Sequence, residues 1–310
     1  MVTQARKLGR QCKRCQKFKS RTKKYGHLEP KQAETLVPWH TVCVDLIGTY
    51  NLTAKVRQPD DTIKKCELKL LCMTFIDPAT GWFEIAEVPL DDQSSARISK
   101  LFDEVWLSRY PRPKKVLYDN GSEFKKDFQP MLKDFAIQAT CTSIKNPQSN
   151  AILERIHQVV GSMLKTQDLK EKIFDSWKPW SEILASVAYA IRCSYHSTLQ
   201  ATPGQLVFGR DMLLDLKFEP NYHQMWAQKQ KRINYDNVRE NSKRASYDYK
   251  VDGYAYIVKD GQYRKLEGDK QGPFRITEVF SNGTLRLQKG VVSERLNIRR
   301  LTPHFGDPPN

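Results

Sequence analysis

Nowhere in the 310 residues does an apolar run approach the roughly 18 that a membrane-crossing helix requires. The opening stretch, MVTQARKLGRQCKRC, lacks the apolar block of a secretory signal. Seven cysteines scattered over this length make no disulfide framework. An intracellular, reducing compartment without membrane contact is the expectation. Internal repeats are absent as well. Hydrophobic residues at 39% and charged residues at 28% exclude a disordered chain. The length exceeds what one compact core usually holds, so two or three domains are expected.

Net charge is +16, and it is unevenly spread. Residues 1–31 carry 11 Lys/Arg against one acid, whereas residues 32–228 carry 23 against 24. Residues 229–250 carry 7 against 3, and 251–310 carry 10 against 7. A neutral body with basic flanks suits a polyanionic partner, above all nucleic acid. The plainer alternative is that the flanks are solvated tails.

Hydrophobic patterning divides the chain. After a basic start containing Cys12-Lys-Arg-Cys15, strand and helix patterns alternate from about residue 37 to 210. HTVCVDLIG reads as a strand buried on both faces. ELKLLCMTFIDPATGWFEIAEV reads as two strands joined by the turn Asp77–Gly81. QSSARISKLFDEVWLSRY places Ile98, Leu101, Phe102, Val105 and Trp106 on one helical stripe. KKVLYD is a strand ending at Asn120-Gly121, and KDFQPMLKDFA a short helix. The strand IQATCTSI and two further helices follow, giving an α/β domain with a mixed sheet. Residues 211–250 read as a basic, partly helical connector. Residues 251–305 show closely spaced β patterns with Gly turns, as in a small barrel, and 306–310 form a tail. Trp106, Trp177 and Trp180 read as core residues, and Cys43, Cys72, Cys141 and Cys193 as buried thiols.

Three carboxylates stand out. Asp45 lies inside the apolar run Val42–Ile47, where an ionised group is costly unless compensated. Asp119 ends a later strand. Glu154 follows NPQSN on a helix whose apolar stripe is Ile152, Leu153, Ile156, Val159, Val160, Met163 and Leu164; it lies off that stripe, in line with Gln158, Gly161 and Lys165. Singly, each has an ordinary reading as a strand-edge, turn or solvated helix residue. Jointly, three hard oxygen donors without nearby His or Cys suit Mg²⁺ or Mn²⁺. Such a trio can hold two ions that clamp the attacking and leaving oxygens of a phosphodiester.

VCVDLIG, YDNGSEF and NPQSNAILERIHQ together resemble the DDE integrases of retroviruses and, more closely, of Ty3/gypsy-type LTR retrotransposons. CKRCQKFKSRTKKYGHLEP is similar to the end of the family's N-terminal zinc domain and its linker. TPGQLVFGRDM is similar to its post-core segment, and GPFRITEVFSNGTLRLQ to its C-terminal GPY/F module. The resemblance spans nearly the whole chain. It implies an RNase H-like core with a mixed five-stranded sheet and flanking helices at 37–210, and a small SH3-like β-barrel at 251–305. It further implies two Mg²⁺ (or Mn²⁺) held by catalytic Asp45, Asp119 and Glu154, and active-site loops shaped by Asn120, Gly121, Gln148 and Ser149. The reaction implied is 3′-end processing of element DNA and strand transfer into target DNA, performed by a homo-oligomer in the nucleus, with host chromatin factors as further partners. A decayed, host-retained DNA-binding copy or an RNase H-like nuclease are the alternatives.

Helix geometry adds Gln158 and Lys165 as DNA contacts, while His157 reads as a helix-flank residue. Lys289, Arg295, Arg299 and Arg300 are basic candidates for a phosphate backbone. Three departures from the family pattern stand in the sequence. Asp119 and Glu154 enclose 34 residues, one fewer than usual. Ala151 replaces a common Gly. No His precedes His27, so Cys12 and Cys15 in the segment 1–31 are half a tetrahedral zinc site, and Zn²⁺ is expected only if a His pair is supplied upstream.

Overall fold

The computed structural model describes residues 11–19, 23–30, 37–119, 121–141, 151–167, 169, 171–177, 179–259 and 268–306, with backbone alone for Ala151 and Glu154. Two compact units divide the chain: Ala33–Lys229, and Met1–Gln32 together with Gln230–Asn310. The first elements, α1 (Lys13–Phe18) and β1 (Lys24–Tyr25), therefore belong with the last third of the chain.

The central unit contains β2 (Thr41–Arg57), β3 (Ile63–Ile76), β4 (Phe83–Glu87), α2 (Ser95–Phe102, continued by a π-helical turn at Asp103–Leu107) and β5 (Lys115–Tyr118). It continues with α3 (Phe128–Asp134), β6 (Gln138–Cys141), α4 (Ala151–Thr166), β7 (Ile173–Asp175), α5 (Ser181–Cys193) and α6 (Pro203–Phe208). The sheet runs β4-β3-β2-β5-β6. β2–β3 and β3–β4 are antiparallel, and β2–β5 and β5–β6 parallel. This is the mixed five-stranded sheet expected from the sequence, with β7 added in parallel along the far end of β2.

Helices cover both faces, and strand alternation assigns each residue to a face. Val42, Val44, Val116 and Tyr118 meet α2 and α3. Cys43 and Ile47, with Leu117 against them, meet α4 and α5. β2 runs far beyond the short strand the sequence suggested. A register shift between Gly48 and Tyr50 inserts one residue, which switches the inward row from 43 and 47 to Tyr50, Leu52, Ala54 and Val56. Gly48 adopts φ +125°, and a Cβ there would lie 2.5 Å from the Leu70 carbonyl oxygen, so no other residue fits without strain.

The expected turn at Asp77–Gly81 is closed by Asp77 itself. This fully buried carboxylate accepts the amides of Ala79 and Trp39 and the Thr80 hydroxyl. Trp106 and Trp180 are core residues, but Trp177 is 83% exposed. Asp175 accepts the Trp177 amide just after β7, which turns that ring away from the core. Cys43 and Cys72 are buried, Cys193 is half-buried, and Cys141 is exposed at the end of edge strand β6.

α7 (Tyr222–Asn241) leads into the second unit, which adds β8 (Arg244–Ala245), β9 (Tyr254–Val258), β10 (Lys270–Phe280), β11 (Thr284–Lys289), β12 (Val292–Asn297) and β13 (Leu301–Pro303). The last five form an antiparallel sheet in the order β12-β11-β10-β9-β13 around Ala255, Ile257, Ile276, Leu285, Leu287, Leu296 and Ile298. The segment from the chain start is fastened to it. β1 pairs in parallel with β8. The Gln16 amide group exchanges two hydrogen bonds with the Phe305 backbone, at 2.7 and 2.8 Å. The Arg244 guanidinium, its side chain 0% exposed, donates to the carbonyls of Gly26, Tyr25 and Ile298. The described part of the basic start is thus no loose tail. This unit holds 27 Lys/Arg against 11 Asp/Glu and the central one 24 against 24, so it carries the whole excess charge. Among the described residues no helix is long and apolar enough to cross a membrane.

Candidate active site

Asp45 occupies the one carboxylate position in the inward row of β2, between Cys43 and Ile47 on the α4 face. β2 and β5 pair through Thr41↔Lys115, Val42↔Val116 and Cys43↔Leu117. Continued by two residues, that register sets Asp45 level with Asp119, the residue just past the end of β5. Alternation turns both toward the α4 face, and neighbouring strands lie about 4.8 Å apart. Both residues are half-buried. Each Oδ1 accepts a local amide: Leu46 N–H at 2.9 Å for Asp45, and Gly121 N–H at 3.0 Å for Asp119. Those bonds orient the carboxylates before any ligand arrives. The Cys141 thiol at the end of β6, exposed as a residue but partly desolvated, is pushed up first by that desolvation and then by the neighbouring Asp119 charge.

Glu154 lies on α4, the helix that covers this face; its side chain is outside the described residues. One turn later comes His157, on the helix flank, with a contact the sequence did not show. His157 is turned toward the sheet, its Nε2 2.9 Å from Thr74 Oγ1. Thr74, fully buried, is the cross-strand partner of Asp45 on β3 and donates its hydroxyl proton to the Asp45 carbonyl at 3.1 Å. A hydroxyl has one proton to give, so the imidazole supplies its own and is the Nε2–H tautomer. Burial pushes the ring down to about 4, leaving it neutral at physiological pH. Gly161, one turn further, lies over the Tyr50 hydroxyl of β2. His157 and Gly161 thus lie along the sheet at the flank of the buried Leu153, Val160 and Leu164, whereas Gln158 and Lys165 are exposed.

The donor chemistry suits a small hard cation: two carboxylates on the same face, one within β2 and the other just past the end of its neighbour β5. Among the described residues no three His, Cys, Asp or Glu are gathered closely enough to hold a metal, and the third expected donor is not among those described.

No family model matches the sequence. A chain from the simian T-cell lymphotropic virus intasome in complex with the PP2A regulatory subunit B56 gamma matches over 99% of this chain and 92% of its own, with TM-score 0.62 and 15% identity. The chain has the fold of a retroviral-type integrase. Over 226 residues, 66% of its length, it is 22% identical to the retrovirus-related Pol polyprotein from transposon 412 of Drosophila melanogaster, and it covers 18% of that polyprotein. The catalytic core domains of BIV integrase and of HTLV-2 integrase in complex with magnesium match 54% and 56% of the chain at 16% and 14% identity, with TM-scores of 0.38 that carry no weight.

Several remaining candidates can be located on this integrase fold, and others cannot. Asn120, Gln148 and Ser149 lie outside the described residues. Lys289 is paired with Glu294, and Arg299 with Glu240. Arg295 donates to Thr284 Oγ1 at 2.8 Å and lies 3.8 Å over the Phe280 ring. Arg300 is half-buried. These four are held by the second unit's own side chains or packing, a constraint invisible in the sequence. Cys12 sits at the N-terminal boundary of α1 and Cys15 within it; the Cys15 amide and thiol hold the Cys12 thiol below its ordinary value.

Sequence reasoning missed Thr74 and the inward turn of His157. The signal was there: Thr74 alone interrupts the apolar run LLCMTFI, directly across from Asp45. It also passed over Glu123, whose carboxylate folds over Gly121 so closely that a Cβ there would overlap it.

Proposed function

We propose that this chain is the integrase of a Ty3/gypsy-type LTR retrotransposon, cutting and joining DNA by phosphodiester transesterification. The observation that carries the reading is the shared register of Asp45 and Asp119 beneath the helix that bears Glu154. In this reading the three carboxylates hold two Mg²⁺ or Mn²⁺. When bound, the ions acidify the attacking water or 3′-hydroxyl and stabilise charge on the leaving oxygen. The amides of Leu46 and Gly121 keep Asp45 and Asp119 in a binding conformation, sparing rearrangement on loading. The +16 unit supplies sequence-indifferent, salt-dependent attraction to element and target DNA. Its antiparallel sheet is read as the SH3-like module, and concerted joining of two ends calls for a homo-oligomer working in the nucleus.

The test is strand transfer of a short duplex into plasmid DNA with Mg²⁺ or Mn²⁺, wild type beside Asp119→Asn. Loss of joined product in the variant is expected; equal product from both would sink the reading. A second reading has one observation in its favour, the extra carboxylate of Glu123 on the Asp119 loop. Degradation of an RNA–DNA hybrid without any joining of DNA ends would favour an RNase H-like nuclease.

A further inference from the structure

Asp45 and Thr74 face each other across β2 and β3, and both are polar residues set in otherwise apolar inward rows. Burying a hydroxyl and an imidazole costs free energy unless each finds a partner. Here Thr74 Oγ1 serves both: it takes the His157 Nε2 proton at 2.9 Å and gives its own to the Asp45 carbonyl at 3.1 Å. Leu153, Val160 and Leu164 hold α4 against the sheet, but apolar contact is non-directional and leaves the helix free to slide or roll by fractions of a turn. A hydrogen bond with defined geometry does not. His157 is one turn from position 154, so fixing one fixes the other relative to Asp45.

We propose that His157 and Thr74 are positioning residues that lock α4 in register on the sheet and thereby set Glu154 against Asp45 and Asp119. This rests on the three-carboxylate reading above. Outer partners of metal ligands change affinity by about 10–100-fold when removed, and the lower end is expected because the link runs through main chain.

The measurement is Mn²⁺ binding by EPR without DNA, followed by kcat and KM for DNA in strand transfer, on folded variants matched by near-UV circular dichroism. Thr74→Val and His157→Leu should weaken Mn²⁺ binding about tenfold and lower kcat with KM for DNA unchanged. Thr74→Ser and His157→Gln, which keep a hydroxyl and a donor, should restore both. Should Thr74→Val not fold, His157→Leu against His157→Gln carries the comparison. If Asp119→Asn loses Mn²⁺ while Thr74→Val and His157→Leu bind as wild type, the positioning role is overturned alone. If Asp119→Asn itself binds as wild type, the carboxylate reading falls and takes the positioning role with it.

Discussion

Acid should unsettle the central unit through His157, by an amount the structure bounds. The ring ordinarily titrates at 6.5, and burial pushes it to about 4. Between these values the unfolded chain binds a proton that the folded chain refuses. The folded state therefore keeps its full stability above about pH 6.5 and loses it as pH falls toward 4. For a sealed ring the gap amounts to about 3 kcal/mol. His157 is only half-buried, and solvent screening reduces the expected loss to about 1–2 kcal/mol. In a unit of this size that is a Tm drop of about 3–6 °C. Thermal unfolding at about pH 7 and about pH 4.5, followed by fluorescence of the six tryptophans, all of which lie in Ala33–Lys229, reads it out. Wild type should lose that much more than His157→Gln, and the imidazole proton resonance should titrate near 4. A midpoint at or above 6.5, or equal losses in both proteins, would show that the ring is not the buried donor described.

Three further outcomes follow from the packing. Arg244→Ala strips donors from the carbonyls of Gly26, Tyr25 and Ile298 and leaves Glu240 without that cation. It should cost about 3–5 kcal/mol, read as lost hydrogen-exchange protection at the Gly26 and Leu28 amides. Gly48→Ala places a Cβ 2.5 Å from the Leu70 carbonyl at φ +125°, and a urea midpoint lowered by about 1–3 kcal/mol equivalent is expected. Trp177→Ser, at a site 83% exposed, should move stability by less than about 0.5 kcal/mol; a larger loss would return that ring to the core.

The strands themselves and the places of Asp45 and Asp119 on them were legible because local rules govern them. A continuous apolar run makes a buried strand, and Asp-Asn-Gly ends one. What could not be read was long-range. The hairpin extension of β2 depends on a one-residue bulge at Gly48 that reverses the alternation, so the apolar positions 50–56 fall out of phase with 43–47. The apolar stripe read for α4 packs on the core, with Leu153, Val160 and Leu164 buried and Ile152, Ile156, Val159 and Met163 partly so; what the stripe could not show is that His157 beside it reaches Thr74 of β3. Trp177 looked like core because aromatic content says nothing of which side of a turn a ring takes. The tethering of the chain's start was illegible for a simpler reason: its partners are more than two hundred residues away.

That tether imposes an order on biogenesis. Gln16 leaves the ribosome 289 residues ahead of the Phe305 backbone that satisfies it. At about 5–20 residues per second, the cationic segment waits about 15–60 seconds while everything between is made. The neutral layer of strands and helices can close during that interval, from contacts already synthesised, whereas the two-ended unit is the last to assemble. A nascent chain stalled before residue 240 should therefore present its positive start unfastened, open to any polyanion nearby.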